Sequence, residues 1–244
     1  MQQAAKCSEE TKIGSAGEDF YSRTRMVLGD GAIESLKNSK VIIFGVGGVG
    51  GYALEALVRA GVGCITAVDS DTVAPSNLNR QIIATADTVG RKKVEVAKER
   101  AESINPCIKF TAICEFYSEQ TKGKFNLAEY DYVIDAIDSV SSKITLIADA
   151  KQAGVKIISS MGAGNKLDPT RFKVADISKT YGDPLARVVR TRLKKLGITN
   201  LKTVFSDEEP KKIEGERLPG SLSFVPSVAG LIIGGEVIKD LALG

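Results

Sequence analysis

The stretch KVIIFGVGGVGGYALEAL, Lys40 to Leu57, constrains this chain more than any other. An apolar run rich in β-branched residues, Lys40 to Phe44, meets a glycine-rich turn and then a helical pattern. Apolar residues without alternation predict a strand buried on both faces of a parallel sheet. Gly45, Gly47, Gly48 and Gly50 fall between that strand and the helix start. Backbone N–H groups there can face a phosphate, and the missing side chains let it approach closely. The plainer alternative is a tight strand-to-helix bend with no ligand. Asp69 ends a second apolar run about 20 residues past the glycines, where a carboxylate can accept bonds from ribose hydroxyls. The pattern fits NAD and ATP alike.

Further along, strand and helix patterns alternate. Strands are expected at Ile65–Val68, Lys109–Cys114, within YDYVIDAID and within VKIISSM. Between them come GGYALEALVRAG with Gly61 as its C-cap, an amphipathic helix stopped by Pro106, a short helix near Phe125, and a helix over Ile144–Ala153. This rhythm predicts an α/β fold, a Rossmann-like doubly wound and mostly parallel sheet. Beyond Gly162 the rhythm changes to a C-terminal excursion of further strands and helices. TRFKVADIS and LKTVFS read as strands flanking the basic helix DPLARVVRTRLKKLG, and DEEPKKIEGERLPGS reads as a mobile loop. The final helix is expected over Ser227–Leu241. The organisation expected is a flexible N-terminus over 1–17 and one domain over 18–244, with 166–222 as crossover and mobile loop. At 244 residues the chain suits one substantial core.

Composition excludes whole classes of chemistry. There is no His, so Ser-His-Asp and Cys-His mechanisms and His-based metal sites are out. Cys7, Cys64, Cys107 and Cys114 form no C-x-x-C pair, so no zinc site is expected. The polar N-terminus resembles no signal peptide, and a cytoplasmic location fits. FVPSVAGLIIGG is too short to span a bilayer, which takes roughly 20 residues, and reads as a buried helix. A net charge of +3 permits a nucleic-acid partner without requiring one.

The segment VDSDTVAPSNLNRQ, Val68 to Gln81, separates the two nucleotides. Asp71, Asn77, Asn79, Arg80 and Gln81 crowd next to Asp69, and a dehydrogenase has no evident use for them. Arg80 offers a planar fork for phosphate oxygens and Lys93 a compact charge, while the Asn77 amide can donate. Such donors suit a triphosphate, although a solvated loop and an ordinary helix lysine would read the same by residue type. Asp135 and Asp138 end the fourth strand, on the edge where open α/β sheets bind ligands. Asp138 there can hold Mg²⁺ against phosphates, or cap the following helix, or do both. Arg187, Arg190, Arg192, Lys194 and Lys195 make a basic run that suits either a nucleic-acid backbone or a solvated face.

GVGGVGG, DSDTVAPSNLNRQ, VGRKKVEVAKERAESINP and YDYVIDAIDS occur in the order and spacing of the ubiquitin-activating-enzyme-like (ThiF/MoeB/HesA) superfamily. The resemblance covers roughly Phe20 to Gly164. It implies an ATP-dependent enzyme that adenylates a carboxylate. By motif, Gly47 and Gly48 would line ATP, Asp69 would bind its ribose, and Asn77, Arg80 and Lys93 would hold phosphates. Asp138 would hold Mg²⁺, and Arg23, in YSRTRMVLG, would reach the ATP of a neighbouring protomer, which implies a homodimer. The stretches DAIDSVSSK, GAGNKLDPTRFKVADISKTYGDPLARVVRTRLKK and VFSDEEP are similar to the tRNA threonylcarbamoyladenosine dehydratase branch. That resemblance implies tRNA as substrate, with a cysteine desulfurase partner and a monovalent cation near the site left open. Thioester-forming relatives place a nucleophilic Cys after the Mg²⁺ aspartate; here the last cysteine, Cys114, precedes Asp138. The alternatives are adenylation of a sulfur carrier's C-terminal glycine and, on the glycines and Asp69 alone, an NAD(P) oxidoreductase.

Overall fold

The computed structural model describes residues 18–211, 215 and 219–244. The flexible segment expected over 1–17 lies outside these residues, and so does part of the loop expected to be mobile, 212–214 and 216–218. Two helices, α1 (Ser22–Leu28) and α2 (Asp30–Asn38), precede β1 (Lys40–Phe44). Then come α3 (Gly50–Ala60), β2 (Cys64–Val68), α4 (Lys93–Ile104), β3 (Lys109–Ile113) and β4 (Tyr132–Asp135). The chain continues through α5 (Val140–Gln152), β5 (Lys156–Ser160), β6 (Phe172–Asp176), α6 (Pro184–Lys195), β7 (Lys202–Ser206) and α7 (Phe224–Ala242).

The seven strands form one sheet in the order β3-β2-β1-β4-β5-β7-β6. All neighbours are parallel except β6, which pairs antiparallel with β7. This is the doubly wound, mostly parallel α/β arrangement, with the expected excursion supplying β6, α6 and β7. Val41 to Phe44 and Tyr132 to Asp135 are wholly buried, which is why those runs show no polar alternation. Strand order reverses between β1 and β4, which are paired through Phe44 and Asp135. In open sheets the crevice beyond such a reversal is where ligands bind.

Three details differ from expectation and one agrees closely; the helix expected over Ile144–Ala153 starts four residues earlier, at Val140. Near Phe125 the chain makes two single 3₁₀ turns, Lys122–Lys124 and Leu127–Glu129, where a short helix was expected. The final helix begins at Phe224, ahead of Ser227. As expected, that apolar helix is buried: Val225, Ala229, Ile233 and Val237 pack against α3. The approach is close because a Cβ on Gly230 would fall 2.2 Å from the Val49 carbonyl oxygen, and one on Gly234 2.6 Å from the Ala56 Cβ. Among the described residues no helix is long and apolar enough to cross a membrane.

Candidate active site

The glycine turn sits at the strand-order reversal. Gly45, at φ 89°, donates to the Val68 carbonyl over 2.8 Å, so the turn is stitched to β2. A Cβ on Gly45 would meet the Ala136 carbonyl at 2.7 Å, and one on Gly50 would meet the Gly45 carbonyl at 1.9 Å. Both glycines therefore serve the bend itself. Gly50 is buried beneath the turn, whereas Gly45, Gly47 and Gly48 line the cleft. The N–H groups of Gly47, Gly48 and Val49 have no hydrogen-bond partner among the described residues. Orphan donors at a helix start are a ready anion site.

The cleft they open into holds about 660 Å³, within the ordinary range for small-molecule sites. Asp69 forms one side. Its carboxylate accepts from Val46 N at 2.7 Å and from Asp71 N at 2.8 Å, which fixes its orientation. Burial pushes the Asp69 carboxyl above the usual range, opposed by the Val46 hydrogen bond and the Lys93 charge. Each oxygen keeps lone-pair capacity for a further donor such as a ribose hydroxyl.

Around the turn stand the expected phosphate ligands. Lys93, first residue of α4, is 7% exposed at its side chain and pairs with Asp71 at 2.8 Å; Asp71 itself is 65% exposed. The ammonium is thus held inside the cleft by a carboxylate at its rim. Asn77 accepts from Ala74 N through Oδ1 at 3.0 Å, leaving its amide to donate. Arg80 is braced by Nη1 bonds to the Ser76 carbonyl and Asn79 Oδ1, both 2.9 Å. Asp138 lines the cleft, is exposed and makes no hydrogen bond among the described residues. The alternative role, a cap from Asp138, is not seen: Ser139 holds the N-cap position of α5, without a side-chain bond. Among the described residues, no three His, Cys, Asp or Glu gather to hold a metal ion.

Behind Asp138 is a fully buried ion pair. Lys143 Nζ donates to Asp135 at 2.7 Å and to the Ser160 carbonyl at 3.0 Å, and Asp135 accepts from Ile137 N at 3.1 Å. The end of β4 is thereby locked to β5, and the Ala136–Asp138 segment is held between them. Asp135 is thus structural support, while Asp138 is free to act.

The far wall comes from the excursion: Gly162–Lys166, Asp183–Leu185 and Pro219–Ser221. Asp183 caps α6 through Ala186 N at 3.0 Å and also accepts from Gly162 N at 3.0 Å. Lys166, almost wholly buried, donates to the Ser206 carbonyl at 2.8 Å beside Asp183 at 3.5 Å. Burial pulls its ammonium below the ordinary lysine range, against the Asp183 charge. Asn165, at φ 58°, pairs with Gly220 in both directions, and Asn79 donates to the Ser221 carbonyl at 2.9 Å.

Arg23 is not in its own chain's cleft. It lies on α1 with its side chain 82% exposed, 3.4 Å from Glu18. Sequence reasoning gave no role to three lining residues. Gln81, nine-tenths buried, has Oε1 with no partner, so it awaits a donor; its place in the polar run was the available signal. Asp183 was signalled by Asp-Pro at a helix start. Nothing in the sequence marked Lys166 for burial.

A sequence profile of the ThiF family matches residues 21–243. The tRNA threonylcarbamoyladenosine dehydratase of Bacillus subtilis is 47% identical over 238 residues, covering 91% of this chain and 94% of that one. The Escherichia coli protein of the same name is 40% identical over 182 residues, 75% of this chain and 68% of that one. A crystal structure of E. coli tRNA N6-threonylcarbamoyladenosine dehydratase in complex with ATP superposes with a TM-score of 0.86 at 35% identity, covering 94% and 96% of the two chains. On these grounds the chain belongs to the ThiF family.

Proposed function

We propose that this chain is an ATP-dependent tRNA threonylcarbamoyladenosine dehydratase, which adenylates the modified nucleoside's carboxylate and closes it into a ring. The observation that carries the reading is the cleft's two-part wall. One side gathers Asp69, Asn77, Arg80, Lys93 and the unpartnered Asp138; the other, built by the excursion, continues the same cleft past them. A nucleotide and a second substrate can therefore meet at Asp138. The 47% identity to the B. subtilis dehydratase supports the same assignment.

In this reading Asp69 accepts from the ribose, and the open N–H groups of Gly47 and Gly48 face phosphate. Asn77, Arg80 and Lys93 hold the triphosphate. Mg²⁺ fits the site, because it is commonly held by one or two carboxylates together with substrate phosphates, and Asp138 presents one open carboxylate. Bound there it would offset phosphate charge. The substrate carboxylate oxygen attacks the α-phosphorus and pyrophosphate departs. The ureido nitrogen, tethered a few bonds away, then attacks the activated carbonyl carbon. It loses its proton, AMP leaves with the carboxylate oxygen, and the nucleoside is lighter by one water. Intramolecular attack of this kind reaches effective molarities of about 10⁵ M or more, so the protein's task is to orient and to exclude water.

No protein thiolate is required. Cys64 and Cys114 are free thiols, neither lines the cleft, and no cysteine follows Asp138. We place Arg23 at the cleft of a second protomer. It projects from a helix whose Met26 and Val27 are 74% and 82% exposed, an apolar surface that a homodimer would cover.

The test is incubation with ATP, Mg²⁺ and tRNA bearing threonylcarbamoyladenosine. A nucleoside lighter by one water should appear with an equal amount of AMP. An unchanged nucleoside mass, with a sulfur-carrier peptide adenylated instead, would replace this reading.

A further inference from the structure

Most cations on this protein have a nearby carboxylate. Arg25, Arg59, Arg91, Arg100, Lys122 and Lys173 are all ion-paired. Among the described residues, helix α6 carries the densest run of cations without an ion pair. Arg187, Arg192, Lys194 and Lys195 are exposed, and none forms an ion pair among the described residues. The cause is local: from Pro184 to Ser206 the sequence holds no acidic residue. The nearby carboxylates are already engaged. Asp176 accepts from Ser178 N and Leu201 N, and Asp149 pairs with Tyr117 and Lys122.

The geometry gives these charges one direction. Ala186, Val189 and Leu193 form the buried stripe, so Pro184, Arg187, Arg192, Lys194 and Lys195 share the opposite face. Pro184 lines the cleft, so that face starts at the cleft wall and runs outward for about 12 Å from Arg187 to Lys195. Arg190 is excluded from it. Its Nη1 donates to the Thr180 carbonyl at 2.8 Å, holding the turn that precedes the helix.

We propose that the solvent face of α6 is the docking track for the phosphodiester backbone of the substrate RNA, with Arg187, Arg192, Lys194 and Lys195 as its contacts. The inference rests on the tRNA reading above and names the surface through which that substrate is held. Unpaired cations suit polyanion binding because only counterions, and no protein carboxylates, must be displaced. A track beginning at the cleft wall can hold the RNA while one nucleoside reaches the site.

The experiment compares two double variants. Lys194→Gln with Lys195→Gln removes two charges from α6. Lys40→Gln with Lys109→Gln removes two lysines that form no ion pair among the described residues, at the amino ends of β1 and β3, on the sheet edge away from the cleft. Binding of an unmodified tRNA transcript is measured by fluorescence anisotropy across a salt series, with ATP affinity and thermal midpoint as checks on folding. The α6 variant should bind at least about tenfold more weakly near 0.1 M salt, and its log–log salt slope should fall by about 1.5. The control variant should change neither. Equal losses in both variants, no loss in either, or no tRNA binding by the wild type would each overturn the proposal. Because binding is read without turnover, wild type that docks tRNA through α6 but never dehydrates the modified nucleoside would overturn the functional reading and leave the docking surface standing.

Discussion

Lys143 is a lysine with no exposed surface, and it bears on the site without touching it. Its ammonium neutralises Asp135 and bridges to Ser159 and Ser160, so the end of β4 cannot move independently of β5. Removing one partner of a buried pair leaves the other charged and uncompensated, at a cost of about 3–5 kcal/mol. Lys143→Met should therefore lower the urea midpoint strongly, and the double change with Asp135→Asn should recover part of the loss. Asp138, one turn of chain away, predicts the opposite behaviour. It has no partner to lose, so Asp138→Asn should leave circular dichroism and the urea midpoint unchanged. AMP formation should nevertheless fall by roughly 10² to 10³, the usual effect of deleting one charge-stabilising contact. Arg80→Ala should lose as much, and near-normal turnover in either would refute the roles given to both.

Helix α1 has no buried residue and depends on its first turn. Asp19 accepts from Tyr21 N at 3.0 Å and Ser22 Oγ at 2.9 Å, and holds Arg25 through two bonds. The Arg25 hydrogen bond, foremost, lowers the Asp19 carboxyl from 3.8 to about 2. A depressed carboxylate stabilises fully above its unfolded value, and the contribution disappears as pH falls through the folded one. Asp19→Asn should thus speed amide exchange over Ser22–Leu28 at neutral pH, and the difference from wild type should shrink progressively below pH 3.8. Elements of this kind also mark where sequence reading stops. The turn at Gly45–Gly50 and the acid at Asp69 were legible because their spacing is dictated by one strand and one helix that adjoin in sequence. Asn77, Arg80 and Lys93 could be placed at the cleft only through the family motif, since by residue type a solvated loop reads the same. The antiparallel direction of β6 was not legible, because an apolar run does not encode which neighbour it joins. Gln81 and Lys166 were not, because their burial depends on segments far away in the chain. The crowding that requires Gly50, where a Cβ would meet the Gly45 carbonyl, is likewise invisible in a one-letter string.

At the scale of the whole molecule, the exposed Arg23 and the cleft it does not enter predict a site shared between subunits. Arg23→Ala and Asp138→Asn should each be inactive alone. Mixed in equal amounts and allowed to exchange, half the dimers would be hybrids with one intact site each, so activity should return to about a quarter of wild type. No recovery, with exchange verified by mass spectrometry, would place Arg23 outside its partner's cleft. The Asn79–Ser221 hydrogen bond spans 142 residues of chain, and the far wall's own pieces are joined over 21 to 55 residues. Such pairings form late, since the loop they close must be ordered before the contact rewards it. The glycine turn and Asp69 are built mainly from β1, α3 and β2, with Asp69 N donating to the Ile113 carbonyl at the end of β3. During synthesis, then, the phosphate-binding half of the cleft can take shape long before the other half has left the ribosome. A nascent chain in that state would present a nucleotide cradle open on one side, and docking of the last helix on α3 would close it.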